Sequence, residues 1–273
     1  MLEIRLLGPV EIVVRGRRVP PPGQRAARVL AALALAEGAP VGVERLVDCV
    51  WGERPPHTAA AQLHTVVWRL RGSFAAADLS ATDLPAGILV RRSTGYLLAA
   101  GAFTTDVARF RQDVRTARVE LVAGRLDPAA AALRAALARW SGPALLGLGD
   151  GPLAAAARRL EEERELAHEQ CVRLDVLRGR HHAANAELRE LVELHPLRES
   201  LYRTLALALY RSGRQGDALG VLRQARERLR DQLGMDPGRD TVAVEQAILR
   251  QDLALSAPGN PLELRQIERA LEG

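Results

Sequence analysis

The sequence contains no lysine, so all 38 of its lysine-or-arginine positions are arginine. This absence excludes a phosphate-loop lysine, a Schiff-base lysine and a Ser-x-x-Lys nucleophile. The sequence also has no nucleophile elbow, no His-Glu-x-x-His motif and no paired-carboxylate motif. We therefore expect a protein that is not an enzyme and that uses no cofactor and no metal.

Aromatic residues, cysteines and long apolar runs are also scarce. Aromatic residues make up 3% of the chain, and alanine and leucine dominate, which favours helices packed through small side chains. The only two cysteines, Cys49 and Cys171, lie far apart, and we interpret them as reduced core thiols rather than as a disulfide. The longest apolar run, 29–36, is too short to cross a membrane, and the chain does not begin with a signal-peptide pattern. We expect a cytoplasmic protein with no membrane partner.

The length and the charge distribution suggest two parts. A chain of 273 residues is long for one hydrophobic core and fits two domains. The formal net charge of +5 divides into +4 for residues 1–100 and +1 for residues 101–273. A basic excess in the first third indicates a polyanionic partner for that part of the chain.

The pattern of residues 1–100 predicts a small antiparallel sheet, three helices and a hairpin, which is the order of a winged helix. In that fold the third helix enters the DNA major groove, and the hairpin, called the wing, contacts phosphate or the minor groove. We expect Thr58 to cap the third helix and Gly72 to end it. The predicted elements are strands within 2–19, helices at 24–37, at 43–51 and from 57 or 58 to 71, and a hairpin over 88–99 that turns at 93–95.

The predicted third helix has an apolar stripe of Leu63, Val67 and Leu70, and its other side carries hydrogen-bonding groups but no carboxylate. Arginine suits guanine edges, glutamine suits adenine, and threonine suits a thymine methyl group or a phosphate. An ordinary solvated helix face is the alternative interpretation of this helix taken alone. The candidate DNA-binding residues are Gln62, His64, Thr65, Trp68, Arg69 and Arg71 on the helix, with Arg91 and Arg92 at the tip of the wing.

From Thr105 onward the sequence predicts almost continuous helix with an internal repeat. A Gly-Arg pair recurs three times, each time with an apolar or aromatic residue three before the glycine, alanine five after it and leucine nine after it. The second and third glycines are 34 residues apart, which is the tetratricopeptide period. We attribute the longer first interval to a loop over 140–152 and a longer helix after it. The repeated positions are Gly124, Gly179 and Gly213, then Leu121, Val176 and Tyr210, then Ala129, Ala184 and Ala218, and finally Leu133, Leu188 and Leu222.

Three other features have plainer interpretations than a binding site. The Gly147-x-Gly149-x-Gly151 pattern is similar to a phosphate loop, but it follows a predicted helix rather than a strand. The pair His181-His182 has no cysteine or carboxylate at ligand spacing, which favours a turn over a metal site. The glutamates at 161–163 are interpreted as a solvated helix face.

Residues 1–100 resemble the OmpR-type winged-helix domain in the segments RLLGPVEI, VDCVWGERPP, WRLR and STGYLL. The resemblance implies that the helix residues named above contact DNA and that Arg92, Ser93 and Thr94 contact it from the wing. Members of this type more often have a small or polar residue at the position of Trp68. Its side chain is therefore placed either toward DNA or packed beneath the helix.

The second part of the chain resembles the bacterial transcriptional activator domain in RWSGPALLGL, RLEEERELAHE, ALYRSGRQGDAL and LRDQLGMDPG. A winged helix followed by that domain is the architecture of the Streptomyces antibiotic regulatory proteins, or SARPs. The expected fold is mainly α with a small β component. We expect an N-terminal winged helix-turn-helix domain (1–100), an all-α tetratricopeptide-like domain (101–255) and a C-terminal tail (256–273).

This resemblance implies a sequence-specific transcriptional activator that is associated with the nucleoid when it binds DNA. The implied partners are double-stranded promoter DNA with direct repeats overlapping the −35 element, a second protomer side by side on that DNA, and RNA polymerase holoenzyme through its primary sigma factor. The implied target is an antibiotic or other secondary-metabolite gene cluster. Two alternatives stay open, a helical-repeat adaptor whose winged helix docks on protein or is only structural, and a repressor with the same fold.

Overall fold

The computed structural model describes residues 2–75 and 87–252. Within these ranges helices predominate and the strands are short, which confirms the predicted fold class. The strands are β1 (Leu2–Arg5), β2 (Glu11–Val14), β3 (Arg17–Val19), β4 (Val41–Gly42), β5 (Leu89–Arg91), β6 (Gly95–Leu98) and β7 (Phe103–Thr105). The helices are α1 (Gln24–Leu35), α2 (Val43–Trp51), α3 (Ala59–Phe74), α4 (Asp106–Val122), α5 (Leu126–Leu137), α6 (Pro152–Leu177), α7 (His181–Leu194), α8 (Glu199–Arg211), α9 (Gln215–Leu233) and α10 (Arg239–Leu249).

The first sheet has the strand order β3-β2-β1-β7. The predicted antiparallel strands within 2–19 are confirmed, since β1 pairs with β2 and β2 pairs with β3. The sequence analysis missed β7, which pairs with β1 in parallel and places Leu2 opposite Phe103. A strand of three residues that pairs so far along the chain leaves almost no local signal.

The buried carboxylate of Asp106, at the start of α4, supports this sheet. Its two oxygens accept hydrogen bonds from the backbone N–H groups of Leu6, Leu7 and Val107 at 2.8 to 2.9 Å. Asp106 is only 4% exposed. Burial raises the pKa of this carboxyl, and the backbone hydrogen bonds act in the opposite direction. The carboxylate thus supplies acceptors for the N–H groups of the two residues that directly follow β1.

The winged-helix elements follow the prediction closely. Helix α2 has the predicted bounds, and α1 begins at the predicted residue but ends at Leu35 rather than at residue 37. Both helices pack on α3, and the second sheet, β4-β6-β5, contains the wing strands. Cys49 in α2 is buried and unpaired, as is Cys171 in α6, which confirms both as core thiols.

Helix α3 differs from the prediction at both ends. It begins at Ala59 and continues through Gly72 to Phe74, so the expected stop at Gly72 is wrong. The side chain of Phe74 is only 4% exposed, and its burial outweighs the roughly 1 kcal/mol that one helical glycine costs. Thr58 occupies the N-cap position, but its side chain makes no capping bond to the backbone. Its Oγ1 instead accepts a hydrogen bond from the Gln62 side chain at 2.9 Å.

The predicted repeat is confirmed at all three Gly-Arg pairs. Each glycine has a positive φ, 73°, 78° and 76° in chain order, and lies in the turn between two helices. The glycine N–H bonds to the carbonyl three residues earlier, and the arginine N–H bonds to the carbonyl five residues earlier. This is the hydrogen-bond pattern of a Schellman helix end. The repeated alanines and leucines are all at most 1% exposed: Ala129, Ala184, Ala218, Leu133, Leu188 and Leu222.

The glutamates at 161–163 do not form the solvated face that was predicted. Glu161 accepts a hydrogen bond from the Ala144 backbone N–H at 2.5 Å, and Glu163 forms two hydrogen bonds with Arg111 at 2.8 and 2.9 Å. Of the three, only Glu162 is exposed, and the other two are partly buried. The interpretation is therefore wrong for two of them, because their partners come from distant parts of the sequence.

Contacts divide the chain into two compact units. One unit contains 1–112 and 135–164, and the other contains 113–134 and 165–273. The proposed domain division at residue 100 stays a prediction, and the predicted tail over 256–273 lies outside the described residues. Within the described ranges, every helix is too short or too polar to cross a membrane.

Candidate nucleic-acid interface

The outer face of α3 forms the centre of the candidate interface. Leu63, Val67 and Leu70 are at most 1% exposed, which confirms the predicted inward stripe. At about 100° per residue, Thr65 points within roughly 15° of the direction opposite that stripe, and Trp68 points within roughly 50° of it. Both side chains are exposed. The outward face of the helix therefore carries a hydroxyl and an indole.

Trp68 points into solvent and does not pack beneath the helix. It is 72% exposed, whereas the other two tryptophans have partners. The Arg25 guanidinium lies 5.4 Å from the Trp51 ring, and the Phe110 ring lies 5.6 Å from that of Trp140 in an edge-to-face arrangement. Of the two positions that the sequence left open for Trp68, the structure shows the outward one.

Arg69 lies beside the outward face, next to the N-terminal turn of α1. Within the described part of the chain its guanidinium has neither an ion-pair partner nor a hydrogen-bond acceptor. A shallow pocket separates α3 from the start of α1, and its lining includes Arg25, Gln62, Thr65 and Arg69 but no carboxylate. Two arginines and the amino end of a helix make this pocket favourable for an anion.

Internal hydrogen bonds hold the Gln62 amide. Its Nε2 donates to Thr58 Oγ1 at 2.9 Å, and its Oε1 accepts from Arg25 Nη1 at 3.1 Å. The amide keeps one N–H and one lone pair for another partner. Sequence reasoning missed Arg25 because it lies on α1. The sequence signal for Arg25 is a basic residue in the first turn of α1, the helix that packs on α3.

The wing is a tight hairpin with an exposed tip. Strands β5 and β6 are antiparallel, and Arg92 and Gly95 exchange backbone hydrogen bonds of 2.8 and 3.3 Å across the turn. Ser93 and Thr94 are therefore the two loop residues, so the turn is one residue shorter than predicted. The side chains of Arg91, Arg92, Ser93 and Thr94 are all exposed.

Gly95 lets the wing lie close to the strand before α2. Strand β6 pairs with β4, and a Cβ atom on Gly95 would lie 1.9 Å from the Val41 carbonyl oxygen. No other residue fits there without displacing the backbone. The Thr94 carbonyl next to it accepts a 3.1 Å hydrogen bond from the Val43 N–H. The position of the wing thus depends on a residue without a side chain.

Two of the predicted recognition residues join α3 to the wing. Arg71 donates from Nε and Nη2 to the Leu89 carbonyl of β5, at 3.2 and 3.0 Å. His64 Nδ1 is hydrogen-bonded to the Tyr96 hydroxyl of β6. These contacts fix the wing against the helix. Arg71 keeps three of its five N–H groups for another partner.

Neither the 147–151 loop nor the His181-His182 pair forms a binding site for phosphate or metal among the described residues. In the 147–151 loop, Gly147 accepts a 3.1 Å hydrogen bond from the Gln24 side chain, and Asp150 forms an ion pair with Arg28. That carboxylate would repel a phosphate. His181 and His182 are the first two residues of α7 rather than residues of a turn, so that interpretation is wrong. Their rings lie 4.9 Å apart, and the described residues contain no cluster of three or more metal-ligating side chains.

Comparisons with known proteins give one family match and several relatives. Residues 105–249 match the bacterial transcriptional activator domain. The chain is 38% identical over 256 residues to the transcriptional regulatory protein EmbR of Mycobacterium tuberculosis. The aligned residues make up 92% of this chain and 64% of EmbR. It is 33% identical over 260 residues to the regulatory protein DnrI of Streptomyces peucetius. That alignment includes 94% of this chain and 96% of DnrI.

A solved structure, that of M. tuberculosis EmbR in complex with a low-affinity phosphopeptide, matches with a TM-score of 0.88 at 34% identity. The match covers all of this chain and 69% of that one. These relatives are named as regulators rather than as enzymes, which agrees with the expectation from the sequence.

Proposed function

Because this chain belongs to the Streptomyces antibiotic regulatory protein family of transcriptional regulators, we propose that it binds promoter DNA through α3 and the wing and activates transcription. The observation that carries the proposal is the exposed, carboxylate-free outer face of α3. On that face Arg69 suits a bidentate pair with guanine, and Thr65 suits a thymine methyl group or a phosphate. In this proposal α3 lies in the major groove.

The wing supplies contacts that depend on charge rather than on base identity. Arg91 and Arg92 extend from a hairpin that Arg71 and His64 attach to α3. Such exposed arginines suit phosphates or a narrow minor groove. Since the helix and the wing are already fixed to each other, little conformational entropy is lost in ordering them on DNA.

The finer proposal concerns the promoter and the polymerase. Two protomers bind direct repeats overlapping the −35 element side by side, and the helical repeats contact the primary sigma factor of RNA polymerase. The regulated genes form an antibiotic or other secondary-metabolite cluster. Membership of the family supports this arrangement, and stacked helix pairs offer an extended surface for protein contact.

Footprinting and transcription with the full chain test the proposal. Duplexes are first selected from a randomised library, and the selected sequence is placed upstream of a weak promoter. An activator protects repeated sites next to the −35 element and raises transcript yield, and its affinity falls steeply with salt. A footprint with reduced transcription indicates the repressor. The absence of any specific footprint at low salt indicates the adaptor and overturns the proposal.

A further inference from the structure

Trp68 is an exposed aromatic side chain that the packing of the protein does not explain. It is 72% exposed, and within the described ranges no ring or guanidinium covers it. The indoles of Trp51 and Trp140 each have such a partner. An uncovered indole gives up the free energy that burial of tryptophan supplies. This side chain is therefore available for a partner outside the chain.

The neighbours of Trp68 on the outward face are small. Ala61 lies seven residues before it and Gly72 lies four residues after it, on the same side of the helix. A Cβ atom on Gly72 would meet nothing within 4 Å. The indole thus projects beyond its surroundings, and the helix axis can approach a facing surface closely on either side of it.

We infer that Trp68 contacts the 5-methyl group of a thymine in the major groove and makes the protein prefer a T·A pair at that position. The inference rests on the proposed function, since it requires α3 to lie in the groove. The thymine methyl is the apolar group that base pairs present there, whereas the other edge groups are hydrogen-bond donors and acceptors. Arg69 beside Trp68 suits those polar groups, and Thr65 offers only a hydroxyl and a single methyl group. The indole is the large apolar surface on this face.

Removal of single methyl groups from the DNA tests the inference. The probe is the duplex selected by the full-length protein, with each thymine replaced in turn by uracil, which lacks only the methyl group. The wild-type protein should lose about threefold to fivefold in affinity at one thymine, the factor that burial of one methyl group supplies. The variant Trp68→Ala should bind the thymine and uracil duplexes equally well.

The control variant is Leu249→Ala, which truncates a side chain that is 60% exposed on α10. It should keep the full sensitivity to uracil. A Trp68→Ala protein that still distinguishes thymine from uracil overturns the inference. The inference is also overturned if Trp68→Ala lowers affinity equally for the thymine and uracil duplexes, because that indicates a contact with the DNA backbone. It is overturned as well if Trp68→Ala lowers affinity only when two protomers bind together, because that indicates a contact between proteins. If no duplex is selected at all, the proposed function fails and this inference fails with it.

Tryptophan fluorescence gives a second, independent measurement. Since Trp51 and Trp140 are covered within the protein, binding of the selected duplex should change mainly the emission of Trp68. The change should disappear in Trp68→Phe. An unchanged spectrum on saturation of the wild-type protein with the duplex contradicts the contact even if affinity is affected by the substitution.

Discussion

At the scale of single residues, Arg69 and Arg92 differ in what they can contact. Arg69 lies on α3 one position before the buried Leu70, and Arg92 lies at the wing tip. We expect Arg69→Ala to cost roughly 1–3 kcal/mol on the selected site and to relax the preference at one base pair. We expect Arg92→Ala to weaken binding to all sequences alike and to lower the salt slope by about 1.

The affinities of both variants are measured across a salt series, on the selected duplex and on base-substituted duplexes. These affinities decide between the two roles. Arg250→Ala serves as the control, since Arg250 is an exposed arginine at the C-terminal end of α10. If Arg92→Ala relaxes base preference while Arg69→Ala weakens all sites equally, the two roles are reversed.

Asp106 gives a prediction about stability at the same scale. Replacing it by alanine leaves the N–H groups of Leu6 and Leu7 without acceptors at positions that are 0% exposed. We expect a loss of roughly 3 kcal/mol in the free energy of unfolding, measured with urea. The matched control is Glu44→Ala, which removes an exposed carboxylate from the first turn of α2. Equal effects of the two substitutions would contradict a special role for Asp106.

The individual candidate residues were only partly predictable from the sequence. Periodicity separates the inward stripe of α3 from its outward face, and it placed Thr65 and Arg69 correctly. It does not show that His64 and Arg71 bond to wing strands more than 15 residues further along the chain, because those contacts depend on tertiary structure. The outward position of Trp68 likewise required the structure.

At the scale of elements, the wing depends on the close approach at Gly95. We expect Gly95→Ala to separate β6 from β4 and to weaken DNA binding, since its Cβ would overlap the Val41 carbonyl oxygen. Affinity for the selected duplex measures the effect. The control is Gly220→Ala in α9, where a Cβ meets nothing within 4 Å. An unaltered affinity in Gly95→Ala, with the fold intact, would show that wing placement does not matter for binding.

The repeated leucines give a second prediction at this scale. Leu188 is 0% exposed and Leu194, on the same helix α7, is 72% exposed. We expect Leu188→Ala to lower the free energy of unfolding by roughly 2–5 kcal/mol, and Leu222→Ala in α9 to act similarly. Leu194→Ala should change it by less than about 0.5 kcal/mol. Chemical denaturation of the three variants tests the repeat alignment. An unchanged free energy of unfolding in Leu188→Ala would contradict that alignment.

Local patterns predicted most elements, and long-range pairing accounts for the misses. The bounds of α2, the wing hairpin and the three Gly-Arg turns follow from signals within a few residues of each other. Helix α3 continues through Gly72 because the side chain of Phe74 becomes buried in the tertiary structure. Strand β7 forms because it pairs with the edge of β1. Neither cause is present in the local sequence.

At the scale of the whole molecule, the predicted division at residue 100 becomes a testable cut. A chain that ends there lacks β7 and Asp106, and it also lacks the Leu145 N–H that bonds to the Leu6 carbonyl at 2.9 Å. We expect it to bind the selected duplex more weakly than the full chain and not to activate transcription. A chain that ends at residue 164 contains all three features, and we expect it to bind more tightly and unfold at a higher temperature.

Three measurements on both fragments and the full chain test this expectation. They are thermal unfolding, affinity for the selected duplex and transcription in vitro. A 1–100 fragment as stable as the 1–164 fragment would show that the later segments are dispensable for the first sheet. A 1–100 fragment that activates as well as the full chain would separate activation from the helical repeats.

The parallel pairing of β1 with β7 also has a consequence for the synthesis of the protein. The partner of Leu2, Phe103, is added to the chain about a hundred residues after Leu2. At about 5–20 residues per second, the open edge of β1 waits roughly 5–20 s for its neighbour. During that interval an unpaired strand edge is exposed to other nascent chains. The pairing of β1 is therefore completed late, and we expect slow translation across residues 20–100 to increase aggregation.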